Sequence, residues 1–265
     1  MIYGAQEVID LDRELNGRAE QKQTIAVWFS CGAASAVAAK KTVELYGKTH
    51  NILIVNNPVD EEHPDNLRFL ADVVEWVGLP ILSAVNSEIG TTSAVEVWAK
   101  RKYMSGIKGA PCTQLLKKEA RYEFELENKI DFHVLGFTAD EVKRHERFTK
   151  FERANVLPVL IDAGLTKKDC FTILEQAGVE LPAIYKMGYP NANCIGCVKS
   201  SSPTYWNLVR EKHPEIFKQR AEQSREIGCR LVELKKKRIF LDELLETDKG
   251  GKIKSWECGI FCDTK

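Results

Sequence analysis

Apolar positions along the chain alternate between short runs of strand length and longer stretches at helical spacing. Ile25-Ala26-Val27-Trp28-Phe29 ends in Ser30, turns through small residues, and passes into Ala36-Val37-Ala38-Ala39-Lys40-Lys41, a pattern that predicts strand, tight turn and helix. Asn51–Asn57 predicts a second buried strand, Leu67, Leu70, Val73, Val74 and Val77 a helix over 65–77 stopped by Gly78, and Pro80–Val85 a third strand. Helices follow over 92–104 and 113–126, then a strand over 131–137, a last strand over 156–161, and a helix over 166–177 with Thr166 as N-cap and Asp169 at the box position. Such alternation predicts an α/β fold, a three-layer α/β/α sandwich around a mostly parallel sheet.

The flanks differ in character. Residues 1–23 are polar without a clear period and predict a short leading helix or arm. The α/β domain is expected over 24–180. From Glu180 onward Pro182, Gly188, Pro190, Asn191 and Asn193 crowd a loop that ends in Cys194-Ile195-Gly196-Cys197. Residues 181–265 are therefore expected to form a small helical, cysteine-containing region, with helices over 203–212 and 214–227 that each carry Pro near the start.

Chemistry concentrates at three places. The turn Ser30-Cys31-Gly32-Ala33-Ala34-Ser35 follows a strand and opens a helix, so its backbone N–H groups and the helix dipole form a cradle for an anion. The strand at Asn51–Asn57 ends in polar residues, and in an open parallel sheet ligands bind beyond such ends. Cys112 stands between a glycine-rich loop and a helix start, where a thiolate is favoured for metal ligation or nucleophilic attack.

Composition narrows the setting. The chain has 265 residues, 44% of them apolar, enough for one large α/β domain with an appendage. Lys plus Arg equals Asp plus Glu at 38 each, so no global charge draws it to nucleic acid or membrane. No apolar stretch has transmembrane length and no basic segment leads into an apolar core near Met1, so a cytoplasmic protein is expected. Eight cysteines in a reducing compartment point to metal or catalysis before disulfides. Cys170 and Cys229, inside amphipathic segments, are expected to be ordinary buried thiols.

The loop resembles the PP-loop, Ser-Gly-Gly-X-Asp-Ser, of the ATP pyrophosphatase and phosphoadenosine phosphosulfate (PAPS) reductase superfamily, whose fold is Rossmann-like and adenine nucleotide α-hydrolase-like. Ser30, Gly32 and Ser35 match, while Cys31 replaces a Gly and Ala34 the Asp. Further matches follow in the family's order. Val55-Asn56-Asn57 stands where PAPS reductases carry Val-Asp-Thr-Gly, and His63-Pro64-Asp65-Asn66 is similar to their Phe-Pro-Glu-Thr. Cys112-Thr113-Gln114-Leu115-Leu116-Lys117 resembles their Cys-Cys-X-X-X-Lys region, and Gly136 to Arg144 their Gly-X-Arg segment. Glu257-Cys258-Gly259-Ile260 resembles their C-terminal Glu-Cys-Gly-Leu.

The resemblance implies an adenine nucleotide (PAPS, adenosine phosphosulfate (APS) or ATP) held by Ser30, Cys31, Gly32, Ala33, Ala34, Ser35, Asn56, Gly136, Thr138 and Arg144. It implies Cys258 as the nucleophile toward the sulfur of a sulfonucleotide, with an external thiol donor such as thioredoxin. Cys112, Cys194 and Cys197 resemble the cluster ligands of APS-type reductases, and either Cys258 or Cys262 would complete a four-sulfur set for a [4Fe-4S] cluster, or three protein ligands would leave one iron open. Tetrahedral Zn²⁺ is served equally well by such ligands. A second enzyme class is an ATP-dependent cluster enzyme that thiolates a nucleic-acid base. It would need Mg²⁺, with Asp60 or Asp140 substituting for the missing aspartates, and would use the basic run Lys235–Arg238 and an exposed Tyr205-Trp206 pair. The third is a non-catalytic homologue stabilised by zinc. Oligomeric state is open.

Overall fold

The computed structural model describes residues 4–16, 22–251 and 253, so Cys258, Cys262 and the Glu257–Ile260 motif lie outside the described residues. In chain order the elements are α1 (Ala5–Asn16), β1 (Thr24–Trp28), α2 (Ala33–Tyr46), β2 (Asn51–Asn56), α3 (Asn66–Val77), β3 (Ile81–Ser83) and α4 (Ala94–Arg101). There follow α5 (Pro111–Thr113), α6 (Ala120–Glu127), β4 (Phe132–Val134), α7 (Val142–Phe151), β5 (Val156–Leu157), α8 (Val159–Asp162) and α9 (Lys167–Gln176). The last are α10 (Ala183–Lys186), α11 (Pro203–Lys212), α12 (Pro214–Ile227), β6 (Val232–Leu234) and β7 (Lys237–Ile239). A π-helical segment, Gln114–Glu119, joins α5 to α6, so the helix expected over 113–126 is a composite.

Two compact units emerge. One takes the chain up to Asn56, with Asp65–Ser83 and Glu125–Pro182; the other takes Asn57–Pro64, Ala84–Phe124 and the described chain from Ala183 onward.

The first unit holds a five-stranded sheet in the order β3-β2-β1-β4-β5, every pair parallel and flanked by helices, the α/β fold expected. Thr24 pairs with Asn51 and Trp28 with Val55, while Ile25 pairs with Phe132 on the other side of β1. β1 is central and its residues Ile25 to Trp28 are buried, which is why they read as an uninterrupted apolar run rather than an alternation. The chain runs from β1 outward through β2 to β3, then places β4 against the opposite edge of β1. The carboxyl ends of β1 and β4 therefore border the point where strand order reverses, the usual place for a ligand crevice.

α2 packs against β1, β2 and β4 and against α3, α8 and α9. Ala33, Ala36, Val37, Ala38 and Ala39 are fully buried, so the helix is apolar nearly all round because protein surrounds it. Gly78 ends α3 in the left-handed region at φ +82°, as its position after the last periodic residue predicted. The strand expected over 156–161 is corrected: only Val156 and Leu157 pair, and the chain turns into α8. Pro158 supplies no N–H to extend the ladder.

The second unit packs around Trp98, Met104, Trp206 and Leu241. Its two predicted helices are α11 and α12. The basic run Lys235–Arg238 lies in an antiparallel hairpin, a strand pair that the expectation of a helical region did not include. Tyr205 and Trp206, expected to be exposed for base stacking, are 4% and 0% exposed, and Trp206 Nε1 donates to Ser200 O at 2.8 Å. An apolar ring on the inward face of α11 is core, which removes the stacking platform. Among the described residues no helix is long and apolar enough to cross a membrane.

Candidate functional site

The loop after β1 is closed by one hydroxyl. Ser35 Oγ accepts from Ser30 N at 3.1 Å and from Ser30 Oγ at 3.3 Å, and donates to Gly32 O at 2.9 Å. Cys31 takes the left-handed conformation, φ +53°, that makes the turn tight. α2 then begins at Gly32 with no side-chain cap and no acidic residue in its first turn. A helix start of this kind leaves backbone N–H groups and the positive dipole end available to an anion.

Two neighbouring strands complete the surroundings of this loop. Asn56, at the end of β2, donates from Nδ2 to Phe29 O at 2.8 Å and to Cys31 Sγ at 3.7 Å. Gly136, just beyond β4, is pressed onto the loop: a Cβ there would lie 2.9 Å from Ser35 N and 3.1 Å from Ala34 C. No other residue fits without moving backbone. Ser30 through Ser35, Asn56 and Gly136 are thus brought together.

Thr138 and Arg144 are engaged differently. Thr138 is buried and forms a reciprocal cap with Glu141 ahead of α7. Arg144 donates to Glu141 Oε1 at 2.5 Å and lies over the Phe137 ring at 5.2 Å. The carboxylates offered as magnesium ligands are also held: Asp60 accepts from Thr92 Oγ1 at 2.6 Å, and Asp140 from Lys167 N at 3.4 Å.

In the second unit Cys112, Cys194 and Cys197 line one small pocket together with Lys117 and Trp98. Cys112 sits in the first turn of α5 and is half-buried, while Cys194 and Cys197 are buried. Among the described residues no three His, Cys, Asp or Glu side chains form a group spaced to hold a metal ion, so the thiols share a lining and are not a closed ligand set. Their donor chemistry suits a thiophilic group. Cys170 is buried as expected, and Cys229 is half-buried with Sγ donating to Ser105 O at 3.4 Å.

The Cys194–Cys197 turn is held from behind. Gly196 has φ +69°, a conformation that favours glycine, and a Cβ on it would crowd Ile216 Cγ2 at 3.1 Å. The Tyr205 hydroxyl accepts from Cys197 N at 2.8 Å and donates to Cys194 O at 3.4 Å. Burial, with the negative charge of Cys197 beside it, keeps this phenol protonated well above its ordinary range. Glu61 ties the turn to α4: its backbone carbonyl accepts from Ile195 N at 2.8 Å, and its carboxylate accepts from Ser93 Oγ and from the N–H groups of Ala94 and Val95.

Two buried cations border the thiols. Lys117 Nζ lies 3.4 Å from Glu62 Oε1. Arg220 stacks over Trp98 at 4.7 Å; burial lowers its pKa, opposed by the charges of Glu61, Cys194, Tyr205 and Cys197. Glu61 and Arg220 did not stand out in the sequence, and Tyr205 stood out only as an expected exposed stacking residue, whereas it is buried and holds the turn. Arg220 did leave a signal: with Phe217, Ala221 and Ser224 it falls on the buried stripe of α12, a cation at a core position.

No protein-family model and no curated protein matches the chain. Among solved structures, similarity is found to a PAPS reductase from Candida auris in complex with phosphate, at 13% identity, covering 72% of this chain and 88% of that one, with a TM-score of 0.47. It is also found to the U34-tRNA thiolase NcsA from Methanococcus maripaludis with its [4Fe-4S] cluster, at 15% identity, covering 85% and 80%, with a TM-score of 0.44. A third is an NMN synthetase from Francisella tularensis, at 16% identity, covering 84% and 93%, with a TM-score of 0.41. The parallel five-stranded sheet with flanking helices described above is an α/β fold.

Proposed function

We propose that the chain is a PAPS reductase-like enzyme of sulfur metabolism that holds an adenine nucleotide at Ser30–Ser35 and acts on its sulfur group with cysteine chemistry. One observation carries the nucleotide site: at the switch point of the sheet, Gly136 sets two backbones together beside the uncapped start of α2. A cradle bordered by backbone and small side chains suits a phosphate. Asn56 favours a sulfonucleotide over Mg²⁺–ATP. Its amide donates to a carbonyl where a magnesium-binding carboxylate would have to accept, and Ala34 offers no ligand.

In this proposal the Cys258 thiolate attacks the sulfonyl sulfur in line, the sulfur–oxygen bond to the phosphate breaks, and the nucleotide leaves as adenosine 3′,5′-bisphosphate from PAPS. Backbone donors of the loop hold the phosphate throughout. A thiol donor such as thioredoxin then attacks the sulfur of Cys258 and releases sulfite. Cys112, Cys194 and Cys197 would hold a metal centre, an iron–sulfur cluster or Zn²⁺, with Cys262 as a fourth ligand.

A second reading, ATP-dependent thiolation of a nucleic-acid base, is favoured by one observation, the lining of one pocket by three thiols. Binding by calorimetry and product assays separate the two. PAPS or APS should bind without Mg²⁺, and Gly136→Ala should weaken binding at least about tenfold, or about 1.4 kcal/mol. Sulfite should be released with reduced thioredoxin and lost in Cys258→Ser. Pyrophosphate from ATP with no sulfite from either sulfonucleotide would replace the first reading by the second.

A further inference from the structure

The basic run Lys235–Arg238 has no part in the function proposed above. All four side chains are exposed at the turn and on the first residues of β7, and Arg230 stands exposed at the base of the same hairpin, over the Phe240 ring at 5.0 Å. Between Arg230 and Ile239 lie five cations and one carboxylate, in a chain of zero net charge. That carboxylate, Glu233, is 3.6 Å from Arg238 Nη2. Among the described residues Arg230, Lys235, Lys236 and Lys237 have no carboxylate at ion-pair distance.

The turn itself is strained. Lys235 and Lys236 sit at φ +50° and +64°, which an Asn-Gly pair takes readily and residues with a longer side chain do not. Like charges crowded on such a turn also repel one another. Cations kept where neutral residues would be more stable point to a partner that carries the opposite charge. The tip has no apolar side chain to bury in a lipid bilayer. Tyr205 and Trp206, the pair expected to stack unpaired bases, are core. What remains is an antiparallel two-stranded ribbon with a cationic tip, with Val232 buried on one face and Glu233 and Arg238 exposed on the other. The major groove of B-form DNA admits a two-stranded β-ribbon, whereas that of A-form RNA is too narrow for side chains. We propose that the β6–β7 hairpin is a contact surface for duplex DNA, with Lys235, Lys236 and Lys237 on backbone phosphates. Phosphate contacts carry no sequence information, so the binding is independent of base sequence. It does not rest on either reading of the nucleotide and sulfur chemistry.

The test titrates the full chain, without nucleotide, into a fluorescein-labelled DNA duplex of about 20 base pairs and follows anisotropy from about 50 to about 200 mM KCl. Binding should weaken as salt rises. In Lys235→Asn combined with Lys236→Gly, affinity at about 50 mM salt should fall at least about fivefold, and the slope of log K against log salt should become shallower by about 2. Asn-Gly suits the turn better than Lys-Lys, so the hairpin persists and the loss reports charge, not unfolding. Lys235→Arg combined with Lys236→Arg keeps both charges and should stay within about threefold of wild type. No binding by wild type at about 50 mM salt, or equal affinity and slope in the Asn-Gly variant, overturns the proposal and leaves the nucleotide site standing. Equal or tighter binding of the single strand or of duplex RNA overturns the fit to a B-form groove. Binding to phosphatidylserine vesicles with none to DNA would make the hairpin a membrane contact and overturn it likewise.

Discussion

Asn56 shows how much hangs on one atom. Its Nδ2 donates to Phe29 O, tying the end of β2 to the loop after β1, and the side chain is buried. In Asn56→Asp an acceptor faces that carbonyl, leaving a buried charge without a donor. The variant should lose about 2 kcal/mol of stability at neutral pH. The protonated acid can donate to Phe29 O, so the folded-state pKa of Asp at this position is raised above its unfolded value. The deficit should therefore shrink as pH falls through that raised pKa and reopen as pH rises through it. Denaturant titrations of both proteins at several pH values check this; a pH-independent deficit would mean the amide donor is not what matters. The sequence showed that Asn56 ends a strand beside the loop, yet its bond to Phe29 depends on a strand pairing that periodicity leaves open. Arg220 was legible only as a cation on an apolar stripe, because its buried, unpartnered Nε exists only once Gly196 and Trp98 are packed around it.

Among elements, those with strong local signals were the legible ones. Thr166 and Asp169 cap α9 reciprocally, as their spacing announced, with Asp169 Oδ2 accepting from Thr166 N at 2.8 Å. The β6–β7 hairpin was not legible, because its two turn residues are Lys235 and Lys236 and not the Asn-Gly or Asp-Gly pair that marks such turns. Both lysines are exposed and held at positive φ, +50° and +64°, the conformation of a type I′ turn, which costs residues that carry a Cβ. Lys235→Asn combined with Lys236→Gly should stabilise the hairpin by about 1 kcal/mol. A rise of about 2–4 °C in Tm is the expected readout. No rise would show that the lysines make compensating contacts. β5 illustrates the converse: apolar residues on both sides of Pro158 read as one strand, and tertiary context divided them into a two-residue strand and a helix.

For the whole molecule, composition marks the change near Glu180, whereas two further segments of the second unit, Asn57–Pro64 and Ala84–Phe124, lie between elements of the sheet and look like ordinary loops and helices in sequence. Which unit a segment joins depends on contacts such as Ile195 N to Glu61 O, between residues far apart in the chain. The consequence for function is a division of parts. Ser30–Ser35, Asn56 and Gly136 belong to the first unit, and Cys112, Cys194 and Cys197 to the second. Replacing Cys194→Ser together with Cys197→Ser should therefore remove thiolate-bound metal, while the affinity for PAPS stays within about twofold of wild type. The turn itself should survive, because Tyr205 grips the N–H of Cys197 and the carbonyl of Cys194, not their sulfurs. Calorimetry with PAPS beside metal analysis of the same samples is the measurement. A parallel loss of nucleotide affinity, about tenfold or more, would show that the thiols take part in holding the nucleotide.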